Sequence, residues 1–139
     1  MRRYKKLGDS FDTIALIFAT AVMLDRATLN SAVNRFEKGD ASAQMVSIAK
    51  YPVPIEWAMR KNRFGILKPI DKEKLAIRSQ DLTEAWYETA DFVLYNEENI
   101  FSNDVHSIKR GFVIPYTPVD IDTQEDWDLA ESYFEKKNH

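Results

Sequence analysis

The chain has no cysteine in its 139 residues. That excludes disulfides, thiolate metal centres and a cysteine nucleophile, and it fits a cytoplasmic protein. Histidine is almost as scarce, with only His106 and His139. A histidine-rich zinc site is not expected from two such residues. His106 reads as a loop residue, with no serine and acid arranged around it as a triad. The four glycines, Gly8, Gly39, Gly65 and Gly111, are scattered and form no Gly-rich cluster. No stretch therefore offers the converging backbone N–H groups that cradle a phosphate. The one marked apolar run is too short to span a bilayer. The net charge of -3 gives no bulk attraction to nucleic acid. Neither nucleic acid nor a membrane is expected as a partner.

What is present is an ordinary globular composition. Hydrophobic residues make up 45% and charged residues 29%, and the length suits one domain with a real core. The N-terminal region imitates a secretion signal: basic MRRYKK, then apolar IALIFATAVML with the small triplet Ala19-Thr20-Ala21. Asp9, Ser10 and Asp12 interrupt the approach, and Val22, Met23 and Leu24 continue the apolar run past the triplet. The stretch reads as a strand followed by a loop.

Residues 13 to 19 form a nearly continuous apolar run, which suits a strand covered on both faces, as in a parallel sheet. Asp25 can cap a helix that carries Leu29, Ala32, Val33 and Phe36 on one side and stops at Gly39. Residues 43 to 49 read as the next strand, so the order suggests a right-handed βαβ unit. Pro52 and Pro54 break the pattern. Residues 55 to 60 suit an extended segment, 62 to 65 a turn, and 68 to 84 an irregular polar stretch. A strand fits residues 86 to 95, and a short helix or loop fits 96 to 103. Residues 111 to 116 read as a strand and 119 to 121 as a short extended piece. Thr123 caps the last helix, with Asp126 placed for a capping box. Trp127, Ala130 and Phe134 share one face of it.

Several constellations suggest chemistry, each with a plainer reading. Asp120 and Asp122 are two apart, which in an extended segment points both carboxylates to one side. Such a pair suits Mg²⁺, which keeps waters and takes further ligands from phosphates. It equally suits the acidic start of a helix, and spacing alone favours that reading. Arg78-Ser79-Gln80-Asp81 can hold a carboxylate through the Arg78 fork, or be a polar surface loop. Ala19, Thr20 and Ala21 follow a strand, where ligands approach in open α/β sheets, or form a plain connecting loop. Trp86, Tyr87, Phe92 and Tyr95 suit a sugar pocket, although aromatics at this density more often make core or dimer contacts.

Taken together, four segments resemble the C-terminal part of a cytidylyltransferase that activates nonulosonic (sialic-type) acids. The pseudaminic acid branch is the nearest in pattern. IFATAVMLD resembles the strand and nucleotide-side loop with its ATAPFLD pattern. FEKGDASAQMVSIAKYPVPIEWAMR resembles the helix end, strand and Pro-rich segment that follow. RSQDLTEAWYETADF resembles RSQDLPEAYHDAGQF, and IPYTPVDIDTQEDWDLAE resembles the final strand and helix with its DIDTPEDW core.

The resemblance implies an α/β fold, specifically a partial Rossmann-like nucleotide-diphospho-sugar transferase fold. It lacks the N-terminal strand and the phosphate loop. Residues 1–139 would be a single truncated domain with a dimerisation and sugar-binding arm at about 63–108. The implied reaction is CTP plus nonulosonic acid giving CMP-sugar and pyrophosphate, with Mg²⁺. By position, Ala19, Thr20 and Ala21 match the nucleotide-side loop, Arg78 and Gln80 the sugar-acid-binding segment, and Asp120 and Asp122 the metal aspartates. No residue of this chain matches a catalytic group beyond these.

The departures matter. The phosphate-loop pattern is missing, Val22 replaces the proline of ATAP, and Tyr87, Glu88 and Asp91 replace His, Asp and Gln. Asp91 would then set a negative charge toward a carboxylate ligand. The expectation is a chain inactive or incomplete alone, or a non-catalytic binding or assembly module of the same descent. A missing strand would also leave an apolar sheet edge. That implies a homodimer or higher assembly, and the resemblance places the family's dimer contact on the arm containing RSQDL.

Overall fold

The structure, a computed structural model, describes residues 2–40, 43–101 and 108–137. The chain divides into two compact units. The first comprises the residues up to Ile48 and those from Glu88 onward, and the second is Ala49–Tyr87.

The first unit carries helix α1 (Arg2–Leu7), strand β1 (Ile14–Ile17), helix α2 (Arg26–Glu37) and most of strand β2. β2 spans Gln44–Lys50 and strand β5 spans Trp86–Tyr95; both run on into the second unit. The first unit ends with strand β6 (Lys109–Val113) and helix α3 (Gln124–Lys137). The strands form one mixed sheet in the order β1-β5-β2-β6. β1 is antiparallel to β5, with Ile14 opposite Tyr95, and β2 is parallel to β6, with Gln44 opposite Lys109. The α/β class expected from the sequence is observed at this level, as a mixed sheet with helices.

α2 starts where the sequence places it. The Asp25 carboxylate accepts from Thr28 N at 2.8 Å, satisfying one of the orphan donors at the helix start. Its other end, at Glu37 with Lys38 as the cap, lies just before Gly39 as expected, but by a different device. Gly39 does not stop the helix through a left-handed turn, because the left-handed glycines among the described residues are Gly8 and Gly65. The guanidinium of Arg110, on β6, donates to the carbonyls of Arg35, Phe36 and Asp40 at 3.0, 3.3 and 3.4 Å. Gly39 gives it room, since a Cβ there would lie 2.0 Å from Arg110 Nη2.

The core sits between α2, α3 and the inner strands. Ala32, Phe36, Met45, Phe92, Leu94, Phe112 and Ala130 are buried, and Phe92 tilts against Phe112 at 5.9 Å between centroids. β1 contradicts the reading of a strand covered on both faces. It is the terminal strand, and its adjacent residues Leu16 and Ile17, which point to opposite faces, are 47% and 48% exposed. An apolar run alone does not distinguish a buried central strand from an uncovered edge.

The second unit is built from turns. A 3₁₀ turn at Ile55–Trp57 precedes strand β3 (Met59–Lys61), so the segment from 55 to 60 is only partly extended. β3 pairs with β4 (Leu67–Pro69) in an antiparallel hairpin. Asn62 closes its loop by accepting from Phe64 N and Ile66 N, both at 2.9 Å. Two further 3₁₀ turns, Lys74–Ala76 and Ser79–Asp81, complete it.

Candidate functional site

Two loops of the first unit border a common groove. One follows β1 and contains Ala19, Thr20 and Ala21, folded by Ala21 N donating to Phe18 O at 3.1 Å and Val22 N to Thr20 O at 2.8 Å. The other runs from β6 to α3 and contains Asp120 and Asp122. Val22 and Ile121 line the same groove of about 230 Å³ together with Trp127 and Ala130. Val22 and Ile121, neighbours of the two predicted segments, thus share one groove, whereas Ala19, Thr20, Ala21, Asp120 and Asp122 do not line it.

Asp120 and Asp122 are both exposed. The segment 119 to 121 is irregular rather than a strand, so the period-two argument for a shared side does not apply there. Thr123 and Asp126 form the expected capping box: Thr123 N and Oγ1 donate to Asp126 Oδ2 at 2.8 and 2.7 Å, and Asp126 N donates to Thr123 Oγ1 at 3.3 Å. Asp122 N also donates to Asp126 Oδ2, at 3.2 Å. The Thr123 hydroxyl, then the two backbone N–H groups, hold the Asp126 carboxyl below its ordinary range. Asp126, which sequence reasoning treated only as a cap, therefore fixes the turn that presents Asp122.

Oxygen donors suit Mg²⁺. Among the described residues there is no group of three or more acids or histidines that could hold a metal. Asp120 and Asp122 fit an ion only if water and a substrate phosphate supply its remaining ligands. His106 and His139 lie outside the described residues.

Beside these loops lies a cavity of about 410 Å³, with Asp25, Tyr116, Thr117 and Lys136 on its walls. Behind Tyr116 is a buried polar network that the sequence did not reveal. Asp91 is only 5% exposed. Its Oδ1 accepts from Tyr116 OH at 3.0 Å and its Oδ2 from Thr89 Oγ1. Asp91 N donates to Ser47 Oγ at 3.1 Å. Burial, then the neighbouring Asp91 carboxylate, push the Tyr116 phenol above its ordinary value of 10.0. Asp91 therefore does not present a charge to a ligand, contrary to the sequence expectation. It is a hydrogen-bonded buried acceptor.

Ala90, immediately before it, has φ 53° and is the only described non-glycine residue in the left-handed region. That conformation costs a residue with a Cβ about 1–2 kcal/mol. The segment RSQDLPEAYHDAGQF carries glycine at this position. This chain has alanine there, in a backbone geometry that suits glycine.

In the second unit, Gln80 and Ser79 line a cavity of about 350 Å³ with Lys50, Thr83 and Glu84. Lys50 pairs with Glu84. Arg78 is not on this wall; its Nε donates to Asp81 Oδ2 at 3.2 Å, on an exposed surface. Lys50, which the sequence reading did not single out, ends β2 just before Tyr51-Pro52. Of the aromatics, Phe92 is core and Tyr87 tilts on Tyr51 at 4.9 Å, while Trp86 is half exposed.

Comparison with known proteins follows the same lines. The chain is 28% identical over 135 residues to the pseudaminic acid cytidylyltransferase of Campylobacter jejuni subsp. jejuni serotype O:23/36 (strain 81-176). It is equally similar to the protein of that name from serotype O:2 (strain ATCC 700819 / NCTC 11168). The chain resembles pseudaminic acid cytidylyltransferases. The match covers 93% of this chain and 56% of each relative, so the chain spans about half the length of the curated relatives it matches. No family model matches it. Among the described residues, no helix is long and apolar enough to cross a membrane.

Proposed function

We propose that this chain is a Rossmann-like domain of the cytidylyltransferase type. The family reaction is CTP plus nonulosonic acid giving CMP-sugar and pyrophosphate. The observation that carries the reading is the similarity over 93% of the chain to proteins named for that activity. The left-handed Ala90 at the family's glycine position supports it. The chain supplies the metal and sugar-acid sides of the reaction and is incomplete alone. Its scattered glycines offer no phosphate cradle.

In this reading Asp120 and Asp122 would hold Mg²⁺ together with water and substrate phosphate oxygens, and the ion would supply positive charge to neutralise the triphosphate. Ala19, Thr20 and Ala21 let the nucleotide approach the backbone closely. The cavity beside Gln80 receives the sugar acid, with Lys50 as the cation facing its carboxylate. Arg78 joins if it exchanges Asp81 for the ligand, a swap between exposed partners that costs little. The arm, about 63–108, carries the Ser79, Gln80 and Thr83 wall of this pocket and a dimer contact. We place the protein in the cytoplasm, where CTP is found.

The other reading, a non-catalytic binding or assembly module, is favoured by the same missing cradle. Pyrophosphate release from CTP, Mg²⁺ and pseudaminic acid tests the claim of incompleteness. The purified chain should release none above background. Turnover by the chain alone would overturn the claim of incompleteness.

A further inference from the structure

We infer that Glu84 is a specificity-determining residue of the second unit's cavity. It selects an acid that carries hydroxyl or amide donors over a bare anion. This role rests on the reading of that cavity as the sugar-acid site.

The cavity's charges come as one pair. Of the residues lining it, Lys50 and Glu84 alone are charged, and Lys50 Nζ donates to Glu84 Oε1. Local structure fixes their proximity. Lys50 ends β2, and Tyr51 N, on the next residue, donates to Ala85 O at 3.0 Å. That backbone bond pins the strand end beside residue 85, and the two charged side chains stand on the residues just before it. They are 53% and 60% exposed, so a ligand reaches both. Ser79, Gln80 and Thr83 add neutral hydroxyl and amide groups to the same cavity, and Tyr51, Pro52 and Leu82 give it apolar surface.

Two opposite charges side by side sort ligands by their donors. A bare carboxylate that approaches Lys50 also approaches Glu84, and like charges repel. The cation it meets is already neutralised. An ammonium offers three donors and a glutamate two acceptor oxygens, and the Lys50–Glu84 bond spends only one of each. A ligand with an O–H or N–H beside its carboxylate therefore satisfies both residues at once. Its carboxylate accepts from Lys50 while its donor gives to Glu84, a charge-assisted bond. A phosphate carries more negative charge and no such donor, so this wall favours a sugar acid over a triphosphate or pyrophosphate.

The test follows backbone amide shifts of the intact ¹⁵N-labelled chain with a matched pair of probes. Quinic acid and cyclohexanecarboxylic acid share a six-membered ring and a carboxylate, and only the first carries ring hydroxyls. Pseudaminic acid is titrated alongside them. Wild type should bind quinate about tenfold more tightly than cyclohexanecarboxylate, with shifts at Lys50, Gln80 and Thr83. Glu84→Gln keeps the side chain's shape and removes its charge. It should bring the ratio close to one, because the bare acid gains and the hydroxylated acid loses. If Glu84→Gln fails to fold, the wild-type ratio decides. Quinate binding no tighter than cyclohexanecarboxylate, or a ratio that Glu84→Gln leaves unchanged, would overturn the role of Glu84. With pseudaminic acid still shifting the cavity's amides, the sugar-acid reading would survive that result. No cavity shifts with pseudaminic acid would remove the reading and the role together.

Discussion

The two units of this chain spend their apolar residues differently. In the first, Phe92, Met45 and Leu94 are fully buried against helices and neighbouring strands. In the second, no residue is classed as buried, and Phe64, Ile66, Leu67 and Ile70 are all more than half exposed. The second unit holds its shape by local hydrogen bonds: the Asn62 turn, Trp57 Nε1 donating to Ile77 O at 3.2 Å, and the Asp71 turn. Stability therefore resides in the first unit. The second unit adds little apolar burial of its own.

The sharpest contrast comes from paired truncations. Phe92→Ala should lower unfolding stability by about 3–5 kcal/mol in urea titration, since it empties a fully buried site. Phe64→Ala should change it by no more than about 0.5 kcal/mol. Equal effects would end the comparison.

The polar network is the next test of the first unit. Tyr116→Phe should cost about 1–3 kcal/mol, because Asp91 Oδ1 loses a donor while buried. It should also alter the alkaline response. The Tyr116 pKa is raised on folding, so its contribution is fully present below the unfolded value near 10.0 and is lost as pH rises through the folded value. Wild-type stability should begin to fall above about pH 10. Tyr116→Phe should blunt that fall.

Smaller effects belong to single backbone features. Thr123→Ala should cost about 1 kcal/mol by removing the cap of α3. The depressed Asp126 pKa gives a contribution that is present above the ordinary carboxylate range and lost as pH falls through the folded value. The acid fraying of α3 seen by circular dichroism should therefore be milder in Thr123→Ala than in wild type. Ala90→Gly should stabilise the chain by about 0.5–1 kcal/mol, because it relieves the left-handed strain.

Local signals carried much of this fold. The Asp25 cap, the Thr123–Asp126 box, the break at Pro52 and Pro54, and the strand at 86–95 all follow from neighbours in sequence. What was hidden depends on contacts distant in the chain. Arg110 closing α2 is 74 residues from Phe36, and no local pattern announces it. Asp91 looked like a charge facing a ligand until its partners, Tyr116 and Thr89, were seen. β1 looked central because apolar composition does not report which strand lies at the edge. The Asp120–Asp122 and Gln80 segments stood out in the sequence as motifs, and their proposed roles await measurement. Lys50 did not, because its place on the pocket wall is set by tertiary structure.

The central claim is that the sugar acid is received in the second unit. Titrating pseudaminic acid into ¹⁵N-labelled chain and following backbone amide shifts tests it most directly. Saturable shifts should cluster at Lys50, Ser79, Gln80 and Thr83, and Gln80→Ala should weaken them. Shifts confined to the first unit, or none at millimolar ligand, would contradict the account.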